Sequence, residues 1–546
     1  MIYLSAQPDE TYFIWQLEIQ LLNFKKFGIN KDCIHVLISY NPSIGLNCLF
    51  KDFINRYNDI AFFFPYPDQR LCKIYPPSIR PHIIAQHYKK YHQELTLVFY
   101  HDCDITFTHK LPDFNRMIAD DVWYLSDTRS YLRSKHILKE DKTLFKEMCS
   151  LANISEKIVI DNDENTGGAQ ALIKNVDYTF WDEVFETSNI LFSFLQENDI
   201  KYKAKANSEA KYNPIQAWCA DMWALLWNAL KRKKIVRIDK ELDFCWPHDP
   251  ISSWNVLNIF HNAGANSDSK HFLFYKALFL GTDPYDYSFN HVRLDLCSSN
   301  YVAQIKDISI SKRYHLPDCT FYVIIDDVIK SSSDLKNIIE VISYLHRNFD
   351  CKILIIETGT DKKIKFSNLF DTVTHLLLPK AKNYNVEIEA MKYCHTHIVF
   401  KHDPFVLIPA SQINKAILSI RHKTFDFCYA HNGNIIYLDK KIMPSFLTSE
   451  EKKIPHLQAG TSKIIAYVPY LRNIAMRKEL FIKLGVGNPH IKLKYYKDLE
   501  LYFKYKLSQY FVGKQDGIIL TLKRSILLYG HNPQKKDELQ FLVRTT

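Results

Sequence analysis

The chain has 546 residues, 47% hydrophobic and 24% charged, which is enough apolar content for a sizeable core and a length that predicts two or more domains. Such a composition excludes a disordered chain. The net charge of +10 points to anionic partners such as nucleotide diphosphates, glycans or lipid headgroups, with a merely solubilising lysine excess as the plainer reading of equal weight. Twelve cysteines stand singly, without a C-x-x-C pair, so neither a zinc site nor a disulfide framework is legible. They read as reduced core residues of a cytoplasmic protein. The opening residues Met1–Pro8 lack the basic start and long apolar core of a secretory signal, and no apolar run reaches about 18 residues. Any membrane association is therefore expected to be peripheral, at the inner face.

In chain order, Ile2 to Ser5 reads as a first strand, Tyr12 to Phe27 as a helix, Cys33 to Ser39 and Ile60 to Phe64 as two more strands, and Ile79 to Tyr91 as a second helix. This β-α-β alternation predicts an α/β fold with a mostly parallel sheet. No G-x-G-x-x-G or Walker glycine loop is present, which counts against dinucleotide oxidoreductases and P-loop enzymes.

The next apolar run, Leu95 to Tyr100, ends in His101-Asp102-Cys103-Asp104. Ligands of open α/β sheets bind beyond the carboxyl ends of the strands, so the two acids arrive where a substrate would be. A chain leaving a strand can turn both carboxylates onto one hard cation, which keeps free positions for diphosphate oxygens and offsets charge on a departing phosphate. The triplet alone is weak evidence, and Asp161-Asn162-Asp163 is read as a solvated loop.

Four further clusters follow. Ser126 to Tyr131 succeeds the apolar stretch Val122 to Leu125, and Asn165 to Gln170 contains Gly167 and Gly168, where a backbone must bend or approach a ligand closely. Pro214 to Trp223 opens a tryptophan-rich helix in which Trp223 and Trp227 are expected to fill the core. Asp221 among them needs a partner, and such a carboxylate is suited to accept a proton from an acceptor hydroxyl. Last, His261 stands after Ile259-Phe260 and before Asn262-Ala263-Gly264, where a neutral imidazole can join the same cation, and Lys276 can meet a diphosphate as a point charge.

With these motifs in this order, residues 1–293 are expected to form a first domain, and Met1 to about Phe289 resembles GT-A-type glycosyltransferases, most closely the plant hydroxyproline arabinosyltransferases and peptidyl-serine galactosyltransferases. The resemblance rests on His101 to Asp104, Asp127 to Tyr131, Asn165 to Gln170, Trp218 to Trp227 with Asp221, and His261 to Gly264 with Lys276. It implies metal-dependent transfer of a hexosyl or pentosyl group from a nucleotide sugar, with a UDP-sugar the first expected donor and Mn²⁺ or Mg²⁺ the cofactor. It also implies that Asp104 and His261 are direct metal ligands, that Asp102 touches the metal or the ribose, and that Arg129, Gly167, Gly168 and Lys276 bind the donor. A glycan or a protein is the expected acceptor; peptide acceptors of the plant enzymes do not carry over, and nucleic acid is not expected.

Residues 294–316 are polar and weakly periodic, and are expected to be a linker. A new strand begins at Thr320 to Asp326, followed by a helix at Leu335 to Phe349, a strand at Lys352 to Glu357, a helix at Asn383 to Cys394 and a strand at His397 to Phe400. Residues 317–546 thus predict a second domain of the same architecture, two tandem Rossmann-like domains in all, and from Phe321 to about Pro533 resemble a divergent family 2, galactosyltransferase-like module. Where that family has its second acid, the chain reads His402-Asp403-Pro404-Phe405, and its Glu-Asp pair appears as Lys497-Asp498. Asp403 and His531 as metal ligands and Asp498 as base are the candidates there, but loss of an anionic ligand favours a degenerate domain over a second working transferase. The remaining readings are a two-site glycan polymerase, a metal-dependent phosphodiester hydrolase, for which too few acids cluster, and a non-enzymatic glycan- or nucleic-acid-binding protein, against which the aromatics fall at core spacing.

Overall fold

The protein is described by a computed structural model covering residues 1–140, 142–206, 215–326, 332–359, 373–378, 386–431, 434–437, 464–467, 473–483, 512–514 and 519–521. The chain divides into two compact units, one of Met1–Leu278 with His291–Gln304 and one of Phe279–Asn290 with Ile305–Thr546. Both are α/β, as the strand-helix alternation predicts.

Among the described residues the first unit contains ten strands: β1 (Ile2–Pro8), β2 (Ile34–Tyr40), β3 (Phe62–Pro67), β4 (Leu97–Tyr100), β5 (Ile105–Phe107), β6 (Trp123–Asp127), β7 (Gly167–Lys174), β8 (Val236–Ile238), β9 (Phe244–Cys245) and β10 (Ile259–His261). Seven of them form one sheet in the order β3-β2-β1-β4-β7-β6-β8, with β7 alone running against its neighbours. Strands buried on both faces read as continuous apolar runs, as in Val36-Leu37-Ile38. Their side chains alternate between two cores. Leu4, Leu37, Val98 and Tyr100 pack with Ile83, Ile84 and Tyr88 of the Ile79–Tyr91 helix and with Trp181, Trp223 and Trp227, while Tyr3, Val36, Ile38 and Phe99 pack with Leu17, Leu21 and Phe24. Trp223 and Trp227 are core residues, as their spacing indicates. The other three strands make a small sheet, β5-β10-β9.

Two stretches hold structure that their sequence does not announce. The 294–316 stretch holds a helix, Ser298–Ser311, in which Ser298, Tyr301, Val302 and Ile305 are buried. They stand at i, i+3, i+4 and i+7, a helical stripe too short to stand out among polar neighbours. Asp163 lies in no solvated loop. It is buried, and its carboxylate accepts the backbone N–H groups of Ser134 and Lys135, two of the unpaired donors at the start of the Ser134–Glu140 helix.

The second unit repeats the topology. Its strands are β11 (Tyr314–Asp326), β12 (Phe349–Thr358), β13 (Val373–Leu378), β14 (Ile398–His402), β15 (Val406–Leu407), β16 (Phe427–Tyr429), β17 (Asn434–Tyr437), β18 (Ile464–Tyr467), β19 (Ile474–Arg477), β20 (Val512–Lys514) and β21 (Ile519–Thr521). The main sheet runs β13-β12-β11-β14-β19-β16-β20, again with one antiparallel member, β19, at the place β7 holds in the first unit. In the small sheet β15 pairs antiparallel with β21, as β5 does with β10. No helix among the described residues is long and apolar enough to cross a membrane.

Candidate metal centre

Asp102 and Asp104 lie in the turn between β4 of the main sheet and β5 of the small one, where the chain passes from one sheet to the other. That crossing lets two acids one residue apart face a common point instead of opposite sides of a strand. The Thr11–Lys26 helix braces the turn with buried amides. Gln20 Nε2 donates to the carbonyl of Asp102 at 2.9 Å, and Asn23 both donates to and accepts from the backbone of Phe107. An amide buried on an otherwise apolar helix must find partners, and this was the one sequence signal for them.

His261, the last residue of β10, stands opposite Ile105 of β5. Its ring lies nearly parallel to Trp246, with centroids 6.0 Å apart, and edge-on to Phe244. So held, its Nε2 is 3.5 Å from Asp102 Oδ2 and 3.3 Å from Asp104 Oδ1. One ligand atom from each of Asp102, Asp104 and His261 falls within 4.8 Å of the others, the one such group of three among the described residues. Two carboxylates and an imidazole suit a divalent ion of intermediate hardness, and of the two expected cofactors the nitrogen donor favours Mn²⁺ over Mg²⁺.

Gln170 of β7 places its side-chain amide 3.3 Å from His261 Nδ1, and its Oε1 is buried without a hydrogen-bond partner. Amide orientation follows from the bonds it makes. With Oε1 turned to the ring it accepts from Nδ1–H, which leaves the Nε2 lone pair to the cation. Gln170→Leu is therefore expected to weaken Mn²⁺ binding by roughly 10–100-fold without altering the ligands, as read by titration calorimetry.

Both acids already have basic partners. Lys276 Nζ donates to Asp104 Oδ2. Burial raises the Asp104 pKa, but Lys276 and His261 outweigh it and hold the carboxyl well below the usual range. Arg80, from the Ile79–Tyr91 helix, donates from Nη1 to Asp102 and from Nη2 to Asp221. Asp221, on the Ala220–Lys231 helix, also has the Tyr75 hydroxyl 2.8 Å from its Oδ1, and that hydroxyl shares its single proton between this carboxylate and the Trp218 carbonyl. The partner that Asp221 needed is thus Arg80, which nothing in its own stretch of sequence distinguishes.

The remaining expected donor residues lie on the same carboxyl edge of the sheet. Arg129, after β6, is engaged with Asp127 and Glu164. Gly167 is required by the fold itself, because a Cβ there would stand 2.3 Å from the Ser126 carbonyl oxygen and 2.6 Å from Leu125 Cβ. Gly168 has φ +144°, a conformation open to glycine, and a Cβ would meet nothing within 4 Å.

Alignment of the two topologies locates the equivalent turn in the second unit. His101 and His402 both hold the carbonyl of the following aspartate through Nδ1, at 2.9 and 2.8 Å. Asp403 takes the place of Asp102, but the place of Asp104 is taken by Phe405, which is buried in the apolar core. Asp403 closes the turn, its Oδ1 accepting the Phe405 N–H at 2.9 Å. Thr521 stands opposite Val406 as His261 stands opposite Ile105. Asp498 and His531 lie outside the described residues.

Solved structures resemble parts of this chain. The mannosyltransferase PcManGT from Pyrobaculum calidifontis, in complex with GDP-Man and Mn²⁺, is similar over 43% of this chain and 63% of its own, at 13% identity and a TM-score of 0.28. S. aureus TarS 1–349 with UDP-GlcNAc is similar over 41% and 65%, at 13% identity and 0.28. Glucosyl-3-phosphoglycerate synthase from Mycobacterium tuberculosis, with Mn²⁺, UDP-Glc and phosphoglyceric acid, is similar over 48% and 84%, at 11% identity and 0.25. The match thus spans less than two thirds of the first two. No protein-family profile and no curated protein sequence matches the chain. What the site can do follows from its own side chains.

Proposed function

We propose that the first unit is a metal-dependent glycosyltransferase that moves a sugar from a nucleotide-diphosphate sugar to a hydroxyl of a glycan or protein acceptor. The observation that carries this is the convergence of Asp102, Asp104 and His261, with Lys276 against Asp104, beyond the carboxyl end of β4. Asp102, Asp104 and His261 would hold a Mn²⁺ ion, which when bound offsets the charge of a diphosphate leaving group. Lys276, half-buried and paired with Asp104, adds a second positive charge to the same place. Asp221, fixed by Tyr75 and Arg80, is offered to the acceptor hydroxyl, which it orients and from which it takes the proton. Trp218, three residues earlier, is 59% exposed and sits edge-on to Tyr75, an aromatic surface beside that carboxylate for the acceptor to lie against.

In the second unit we propose that the sheet is kept and the chemistry lost. Of three positions equivalent to the metal ligands, one still carries an acid. Its role is then to bind acceptor glycan or to support the first unit.

The deciding experiment is release of nucleoside diphosphate from a panel of UDP- and GDP-hexoses and UDP-pentoses, with Mn²⁺ and with chelator. Release from one donor that needs Mn²⁺ is the expected result. Release that persists in chelator, or none from any donor with any acceptor, would refute the reading.

A further inference from the structure

Arg80 is the least explained charge in the first unit. It lies between carboxylates that are far apart in sequence, Asp102 and Asp221, and gives one nitrogen to each, while its Nε is buried with no hydrogen-bond partner. Arginine forks pair two carboxylates well, yet one of these carboxylates belongs to the cation cluster. A guanidinium there opposes a divalent ion at the same acid. Lys276 stands likewise on the other acid, so Asp102, Asp104 and Asp221 face two positive side chains and keep one uncompensated negative charge. A divalent cation alone would leave this cluster positive. A cation arriving with a diphosphate would not.

Resting on the function proposed above, we infer that Arg80 is a built-in counter-ion that competes with the divalent cation for Asp102 and turns to the diphosphate when cation and nucleotide bind together. Arg80 is in that sense a positioning residue: it keeps Asp102 and Asp221 at a set spacing in the resting site and makes cation binding depend on the nucleotide. Its unpaired Nε and the nitrogen released from Asp102 are the donors it brings to the phosphate oxygens. The device couples two ligands without any change in the ligand set of the metal, and the coupling is reciprocal, so the cation strengthens nucleotide binding by the same factor.

The test is titration of free Mn²⁺ by electron paramagnetic resonance, with and without UDP, on the full chain as wild type, Arg80→Met, Arg80→Gln and Arg80→Lys. Arg80→Met is expected to bind Mn²⁺ alone at least about tenfold more tightly than wild type, and the gain in Mn²⁺ affinity on adding UDP is expected to shrink by at least about tenfold. Arg80→Gln, which keeps a polar group in the same space, should behave alike if Arg80→Met fails to fold, and Arg80→Lys should stay within about threefold of wild type because the charge remains. A merely structural role would weaken Mn²⁺ binding in all variants. An unchanged or weaker Mn²⁺ affinity in the neutral variants, or an undiminished effect of UDP, would overturn the inference alone. No Mn²⁺ binding by wild type, with UDP or without, would overturn the metal centre and this inference with it.

Discussion

On the function proposed above, Asp104→Asn is expected to lower Mn²⁺-dependent release of nucleoside diphosphate by on the order of 10³-fold, because it removes a proposed anionic ligand at the place where leaving-group charge would be met. The substitution keeps the shape of the side chain and an oxygen for Lys276, so the effect is chemical and not a collapse of the turn. Asp403→Ala should leave that activity as it is. Its carboxylate closes a turn in the second unit, and losing the bond to the Phe405 N–H should cost that unit about 1 kcal/mol of stability. Steady-state release and melting of both variants separate the cases. Equal loss of activity in the two variants would mean that the second unit also works on a donor, against the burial of Phe405 where a ligand is needed.

Stability of the first unit should fall as pH drops from about 6.5 to about 4. His35 and His87 are buried together, with His35 Nδ1 3.0 Å from His87 Nε2 and the Tyr66 hydroxyl 2.7 Å from His87 Nδ1. Burial lowers the pKa of His35 to about 4 and that of His87 to about 3 from an ordinary 6.5. Their contribution is complete above 6.5; below it the unfolded chain takes up protons that the folded chain refuses, so stability is lost at about 1.4 kcal/mol per pH unit for each histidine. Asp9 acts in the opposite sense. Burial raises it to about 7, so its contribution is present at low pH and lost as pH rises from 3.8 to 7. Over the shared window Asp9 offsets one of these two histidines, and His101, which burial also lowers to about 4, adds to the loss in the same direction. All eight tryptophans belong to the first unit, so urea unfolding followed by tryptophan fluorescence at pH 7 and pH 5.5 reads it selectively. His87→Gln should flatten the dependence. A flat profile in wild type would contradict the buried neutral pair.

Much of the fold was legible before any coordinate. Strand segments such as Val36 to Ile38 and Leu97 to Tyr100 are continuous apolar runs because a parallel sheet covered on both faces leaves them no polar side. The acids at 102 and 104 were legible for the same reason: two carboxylates directly after such a run have no place in a core. The Ser298–Ser311 helix and the role of Asp163 were not, since a four-residue stripe and a carboxylate that accepts N–H groups about thirty positions away leave only a faint local mark.

Residue types and their order were a property of the chain alone: an Asp-x-Asp after a strand, a late histidine and lysine, and a second half in which Phe405 replaces an acid. Only the tertiary structure decided which of them meet. Arg80 pairs with residues 22 and 141 positions away, and in sequence it cannot be told from any surface arginine on a helix. Gln170 reaches His261 across 91 positions. Strand register alone puts Thr521 where the first unit has His261, because pairing between strands is set by packing at a distance and not by any neighbour in the chain.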